Sequence, residues 1–242
     1  REEAIYAIER GLTHYTSNWG LTDLRRLIAD YIADRNGLSY GVDEILVTTG
    51  TSEALDLAFR MLIENGDEVL IPAPSYVSYM PGVVFAGGVP VPVVTREEDR
   101  FILTPDALKK AVSKKAKAIV IPYPNNPTGA AMTRREYEDI ADIILSTGMI
   151  VISDEIYSEL TYSDGHFSIA RLPGFKERTI VINGFSKGFA MTGFRLGFAA
   201  GPRPLLHAMC KIHQYSMLCA PIISQVAAKE ALKTEMSNGY AQ

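Results

Sequence analysis

Lys187 stands in the run Asn183-Gly-Phe-Ser-Lys-Gly-Phe-Ala-Met-Thr-Gly-Phe-Arg-Leu-Gly197, with Arg195 eight residues after it. A lysine placed in a confined site loses proton affinity and attacks a carbonyl carbon as a free amine. An arginine is always charged and presents a planar fork suited to a phosphate. Upstream, Thr48-Thr-Gly-Thr-Ser-Glu-Ala-Leu55 reads as a strand that stops at Gly50 and a helix that begins at Thr51 or Ser52. Free backbone N–H groups and hydroxyls at such a helix start make an anion site. In Tyr123-Pro-Asn-Asn-Pro-Thr-Gly129, two prolines hold Asn125 and Asn126 in a rigid, extended loop whose amides can donate to a ligand oxygen. In Ser153-Asp-Glu-Ile-Tyr157, Asp154 emerges at the end of an apolar run and Tyr157 follows three residues later. An aspartate beside a ring nitrogen keeps that nitrogen protonated and makes the ring an electron sink.

Each of these features has an ordinary structural reading on its own: a helix cap, a turn, a capping aspartate, a solvated surface lysine. Their joint order carries the chemistry. An anion cup, an asparagine loop, an acidic strand end, and then lysine and arginine succeed one another, each after a strand.

The elements that must position these residues are legible as alternation. Apolar runs at 45–49, 68–71, 89–94, 118–121, 149–153, 179–183 and 196–200 predict strands, several without polar alternation, as strands buried on both faces should be. Between them, Leu24, Leu27, Ile28, Tyr31 and Ile32 make one helical face that starts near Thr22 and stops at Gly37. Ala54, Leu57, Ala58, Met61 and Leu62 make another, closed by Asn65-Gly66, and Thr133 to Ser146 behaves likewise before Gly148. The alternation predicts a three-layer α/β/α fold around a mostly parallel sheet of about seven strands. In such sheets ligands bind where strands end and helices begin.

Composition excludes several classes. With 47% hydrophobic residues and 21% charged, the 242-residue chain has the apolar content to bury a core. A net charge of -4 shows no basic field for nucleic acid, and no apolar run approaches the roughly 20 residues that span a bilayer. Cys210 and Cys219 read as core or interface thiols rather than a disulfide framework, which fits a reducing cytoplasm. The chain begins Arg1-Glu-Glu, without initiator Met or secretory pattern, and reads as an excised piece.

Taken together, the motifs resemble the large domain of the class I/II aminotransferases, fold-type I pyridoxal-phosphate enzymes related to aspartate aminotransferase. The matching stretches run from His14-Tyr-Thr-Ser-Asn-Trp-Gly-Leu-Thr-Asp-Leu-Arg25 through Asn125-Asn-Pro-Thr-Gly129 and Asp154-Glu-Ile-Tyr157 to Ser186-Lys187 and Thr192-Gly-Phe-Arg-Leu-Gly197. The resemblance covers nearly the whole chain. It implies a Lys187 aldimine with pyridoxal 5'-phosphate and catalytic roles for Lys187, Asp154 and Tyr157. Asp154 would pair with the pyridinium nitrogen, Asn126 and Tyr157 with the phenolic oxygen, and Tyr76 would stack on the ring. Gly50, Thr51, Ser52, Arg195 and Ser186 would hold the phosphate. No metal is implied. Tyr15 matches a tyrosine that reaches the neighbouring subunit's phosphate, which implies a homodimer with shared sites, formed around Tyr15 and residues 212–223.

Two departures qualify the match. Many relatives carry serine three residues before the lysine, where this chain has Gly184. The family's substrate-carboxylate arginine lies in a small carboxy-terminal domain, so residues 1–242 are expected to be the large domain alone, able to hold cofactor with little turnover. The implied reaction moves an amino group between an amino acid and a 2-oxo acid. A β-lyase or synthase using the same lysine and aspartate, and a non-catalytic pyridoxal-phosphate sensor fused to a DNA-binding head, stay open, as does the identity of the amino acid.

Overall fold

The computed structural model describes residues 1–162 and 165–238, so the last four residues of the expected domain lie outside the described span. The seven apolar runs form seven strands: β1 (Ile45–Thr48), β2 (Glu68–Ala73), β3 (Val89–Val94), β4 (Ala116–Ile121), β5 (Ile150–Asp154), β6 (Thr179–Gly184) and β7 (Gly197–Ala200). They make one sheet in the order β1-β7-β6-β5-β4-β2-β3. Neighbours pair in parallel except at β7, which runs antiparallel to both β1 and β6. The exception has a local cause. A parallel return needs a crossover that carries the chain back to the opposite edge, usually on an α-helix, whereas residues 185–196 hold only a single 3-10 turn and double back from β6 into β7.

Among the described residues there are eight α-helices: α1 (Glu2–Glu9), which packs on α8, and α2 (Thr22–Asn36), α3 (Gly50–Leu62), α4 (Tyr79–Phe85), α5 (Pro105–Ala111), α6 (Arg134–Thr147), α7 (Arg203–Ser216) and α8 (Ile222–Asn238) around the sheet. Ala118 and Val120 of β4 pack into a core shared with α3, α4 and α7, while Ile119 and Ile121 pack into one shared with α5 and α6. Both faces of the strand are covered from Ala118 to Ile121, which is why those four buried residues form an unbroken apolar run. On the latter side of the sheet, Ile45, Val47, Val181 and Phe198 pack against α2 and α8. The architecture is therefore the three-layer α/β/α arrangement. Edge strand β3 carries Pro90 and Pro92, which have no N–H to offer a further strand. No helix among the described residues is long and apolar enough to cross a membrane. Cys210 and Cys219 are free thiols.

Helix ends follow the local chemistry. Gly37 and Gly148 close α2 and α6 in the left-handed conformation, with φ of 62° and 72°. A reciprocal box between Thr133 and Glu136 opens α6. The expected end of α3 at Asn65-Gly66 is corrected: the helix stops at Leu62 because Ile63 turns extended, φ -99° and ψ 130°, and buries its side chain in the α3–α4 core. Gly66 instead serves the turn into β2.

The start of α3 lies at Gly50, one or two residues before the expected start, and it presses on β7 with no side chain between. A Cβ on Gly197 would lie 2.7 Å from the carbonyl carbon of Gly50 and from the nitrogen of Thr51. A Cβ on Gly184 would lie 2.8 Å from the Gly197 Cα. Both groups are backbone and cannot swing away. Gly197→Ala is therefore expected to cost about 1–3 kcal/mol, as overpacking does. A denaturant titration checks it: the midpoint should fall at unchanged slope, and an unchanged midpoint would show that α3 can lift off β7 freely.

Candidate functional site

The strand order decides which residues meet. Along the sheet's carboxyl edge, β1 leads into α3, β7 is entered from Arg195, β6 leads to Lys187, β5 ends in Asp154, β4 leads to Asn126 and β2 leads to Tyr76. Six neighbouring strands thus deliver their terminal residues to one place. There a cavity of about 240 Å³ is lined by Thr51, Ser52, Tyr76, Asn126, Asp154, Tyr157, Ser186, Lys187 and Arg195, together with Tyr79, Pro124, Ile156 and Thr192. Of the last four, the sequence points to Pro124 only as a constraint on its loop and does not single out Tyr79, Ile156 or Thr192 as site residues. Tyr79 had a signal that could have found it: it lies three residues after Tyr76, the spacing that puts two side chains on one face of a helical turn.

Lys187 rides on the compact β6–β7 connection. Buried Phe185 anchors the start of the loop, the Met191 N–H donates back to the Phe185 carbonyl at 3.0 Å, and Phe189 packs on Phe185 with ring centroids 5.2 Å apart. The lysine Nζ lies over the Tyr157 ring, 5.6 Å from its centroid. The confinement expected for Lys187 is corrected: its side chain is exposed at the mouth of the cavity, because the loop holds it only from the sheet side.

At the opposite end of the cavity, α3 directs its first N–H groups outward, and Arg195 stands over them. The arginine is held in the left-handed conformation, φ 48°, and its Nη1 donates to the Thr192 carbonyl at 3.0 Å. Gly50 leaves the room for it, since a Cβ there would meet Arg195 Nη2 at 2.7 Å. Gly50 itself does not line the cavity. This is the chemistry of an anion cup: helix N–H groups, the hydroxyls of Thr51 and Ser52, and a fixed cation. The place of Gly184 is also explained, because any side chain there would run into β7 and, at 3.3 Å, into Thr51 Cγ2.

Asp154 forms the floor and is only 4% exposed. Its Oδ2 accepts from the Tyr79 hydroxyl at 2.8 Å and its Oδ1 from the Ile156 N–H at 3.2 Å. Burial pushes its pKa up to about 6, against the opposing pull of those two hydrogen bonds. Glu155, next along, faces the other way into a closed network. It accepts from Ser168 Oγ at 2.6 Å, Ser153 Oγ at 2.9 Å and Asn36 Nδ2 at 3.2 Å, and pairs with His166 Nε2 at 2.9 Å. Burial alone would raise its pKa, but His166 and the serine hydroxyls hold it below the ordinary value. Of two adjacent buried carboxylates, one is fully partnered and the other faces the cavity with capacity to spare.

The asparagine loop is also corrected. It is not extended but folds back on itself: Asn125 is buried, its N–H donates to the Ala130 carbonyl at 2.8 Å, and its Oδ1 accepts from the Thr128 hydroxyl at 3.1 Å. The Tyr123-Pro124 and Asn126-Pro127 bonds are cis. This internal bonding occupies Asn125 and leaves Asn126 at the cavity. Tyr15 does not reach the cavity of its own chain. It is 80% exposed, beside a separate groove lined by Thr13, His14, Met217, Cys219 and Pro221.

The family model that matches this chain is described as aminotransferase class I and II, over residues 1–239. The chain is 50% identical to YugH of Bacillus subtilis (strain 168) over 98% of its own length and 62% of that protein. It is 45% identical to an aspartate aminotransferase of Pyrococcus abyssi, again over 98% of this chain but 61% of the relative. The solved aromatic aminotransferase from Pyrococcus horikoshii OT3 superimposes with a TM-score of 0.95 at 46% identity, covering 99% of this chain and 65% of that one. The chain thus spans about three fifths of the curated relatives it matches.

The raised pKa of Asp154 makes a stability prediction. Between its unfolded value of 3.8 and about 6 the folded state binds the extra proton, so stability falls as pH rises through that window, and above it the folded state carries a buried anion. In the cofactor-free protein, Asp154→Asn is expected to stabilise at pH 7.5, by at most about 3 kcal/mol, and to have little effect near pH 4. Thermal unfolding at both pH values checks this. Equal effects at the two would show that Asp154 is not strained by burial.

Proposed function

The chain belongs to the class I and II aminotransferases, and on that premise we propose that it holds pyridoxal 5'-phosphate in this cavity on Lys187 and serves a transfer of the amino group between an amino acid and a 2-oxo acid. The observation that carries the reading is the shared cavity itself. It joins an amine at the mouth, an anion cup at one end and a buried carboxylate with free acceptor capacity at the floor. The donor set fits a phosphorylated, nitrogen-containing ring aldehyde.

When bound, the cofactor supplies an electron-poor ring that accepts the charge released at the amino acid's α-carbon. The rest is done by the chain's own residues. Lys187 Nζ would hold the cofactor's carbonyl carbon and, once released by the incoming amino acid, would be the amine that moves a proton between the amino acid's α-carbon and that carbonyl carbon. Asp154 keeps the proton on the ring nitrogen. Asn126 and the Tyr157 hydroxyl donate to the phenolic oxygen, and Tyr76 covers one face of the ring. Thr51, Ser52 and Arg195, with Ser186, take the phosphate, and Gly50 leaves the space for the arginine.

Lys187 and Arg195 are the cations that line the cavity among the described residues. If one takes the carbonyl and the other the phosphate, neither is left for a substrate carboxylate. We therefore assign residues 1–242 to the large cofactor-binding domain, with the carboxylate clamp outside this span. The exposed ring of Tyr15, beside an apolar groove that includes Met217 and Pro221, supports a homodimer in which Tyr15 reaches the partner's phosphate. The free thiols fit a cytoplasmic setting. The related proteins carry the names of aspartate and aromatic aminotransferases, so a small 2-amino acid of either kind is within the class.

Borohydride reduction of the cofactor-loaded protein followed by peptide mapping should find the adduct on the Lys187 peptide. An adduct spread over other lysines, or no saturable labelling, refutes the assignment. Compared with the longer protein, the 1–242 span loaded with cofactor should form pyridoxamine phosphate from amino acids at least about 100-fold more slowly, because loss of orientation alone can cost several kcal/mol. Equal rates would show that no clamp outside the span is needed.

A further inference from the structure

We propose that Tyr79 is a positioning residue for this site: acting through Asp154, its hydroxyl sets the orientation and the charge of the carboxylate that meets the cofactor's ring nitrogen. The inference rests on the pyridoxal phosphate reading above. Tyr79 opens α4 and is 3% exposed, yet its hydroxyl reaches the floor of the cavity and donates to Asp154 Oδ2 at 2.8 Å. The Ile156 N–H takes the other oxygen. A carboxylate has about four lone-pair sites. With one donor on each oxygen, from a helix start on one side and the β5 exit on the other, the carboxylate plane is fixed and each oxygen keeps acceptor capacity for the ring.

The chemical type of the donor matters as much as its place. Burial and the neighbouring Asp154 push the Tyr79 phenol well above its ordinary pKa, so its proton stays on the oxygen. A neutral donor supports the charged carboxylate through a charge-assisted hydrogen bond. It adds no positive charge of its own, whereas a lysine or arginine here would compete with and repel a protonated ring nitrogen. The groups that face Asp154 are consistent with this. Tyr79 and the Ile156 N–H favour its ionised form, the charge of Glu155, which itself faces away, opposes it, and no cation among the described residues shifts it. Tyr79 also packs edge-on against Tyr76, with centroids 5.6 Å apart and planes at 81°. One buried side chain thereby ties the carboxylate that would meet the ring nitrogen to the aromatic that lines the same cavity.

The test uses Tyr79→Phe in the full-length protein, with two readouts. In the cofactor-free form, the carboxyl signal of ¹³C-labelled aspartate, assigned by its loss in Asp154→Asn, gives the pH at which Asp154 ionises. Loss of the hydroxyl is expected to raise that midpoint by about one pH unit, a tenfold change. In the loaded form, the ¹⁵N shift of ring-labelled pyridoxal phosphate reports protonation of the ring nitrogen, which should be lost at a pH about one unit lower than in the wild type. An unmoved aspartate midpoint overturns the proposal. A moved midpoint with an unmoved nitrogen overturns its extension to the cofactor. If the wild type itself fails to label at Lys187, the cofactor reading falls, and the first readout still decides whether Tyr79 governs Asp154. Should Tyr79→Phe fail to fold, replacing Tyr79 with 3-fluorotyrosine, a more acidic phenol of nearly the same shape, is expected to lower the Asp154 midpoint; no shift would show that Tyr79 only fills space.

Discussion

The contact between three backbones at Gly50, Gly184 and Gly197 is the constraint on which the site depends. Gly184 pairs with Gly197 across β6 and β7, so these two adjacent positions of the sheet carry no side chain where α3 begins. That bareness lets the first turn of α3 sit directly on the sheet edge rather than a side chain's depth above it. The helix N–H groups then come level with the β6–β7 loop, and Lys187 and Arg195 open into the same cavity as Thr51 and Ser52. A helix lifted by one methyl group would move Thr51 and Ser52 away from the β6–β7 loop that carries Lys187 and Arg195.

The direction of β7 is the second half of the same device. Because residues 185–196 turn back without a crossover α-helix, the entry of β7 lies at the same edge as the exit of β6. Arg195 and Lys187 are therefore brought to the same edge of the sheet, where both line one cavity. In a sheet of parallel strands throughout, a crossover would have delivered the entry of the seventh strand, and its arginine, to the opposite edge.

Electrostatics divides the two buried carboxylates at the end of β5. Glu155 is surrounded by Ser153, Ser168, His166 and Asn36, which together anchor the strand end to α2 and to the segment before Ile169. Its charge is held in place and spends itself on structure. Asp154 has two donors and a ceiling of open cavity, and burial works against its charge. A buried anion without a cation is costly unless a ligand supplies one. That imbalance, more than the presence of an aspartate, distinguishes a binding floor from a structural ion pair.

The strand runs, the glycine-capped helix ends and the order of the four motifs were legible in the chain, because each is set by chemistry within a few residues. Hydrophobic runs report burial on both faces, and Gly37 and Gly148 mark a left-handed residue that other side chains resist. The family resemblance rested on those same local motifs. What local reading could not reach were relations across the sheet. Tyr79 meets Asp154 from 75 positions away, and nothing near either residue announces the other. The folded-back asparagine loop depends on bonds from Asn125 to Thr128 and Ala130, not on the prolines alone. The exposure of Lys187 follows from how its loop sits on the sheet edge, and the need for glycine at 184 follows from the backbone of β7. By itself, the sequence determined which elements form and which residues carry the chemistry, since propensity and side-chain type are properties of short stretches. Only the tertiary structure decided which of those residues face one another, how buried each one is and what charge it can hold, because solvation and contact depend on strands and helices far apart in the chain.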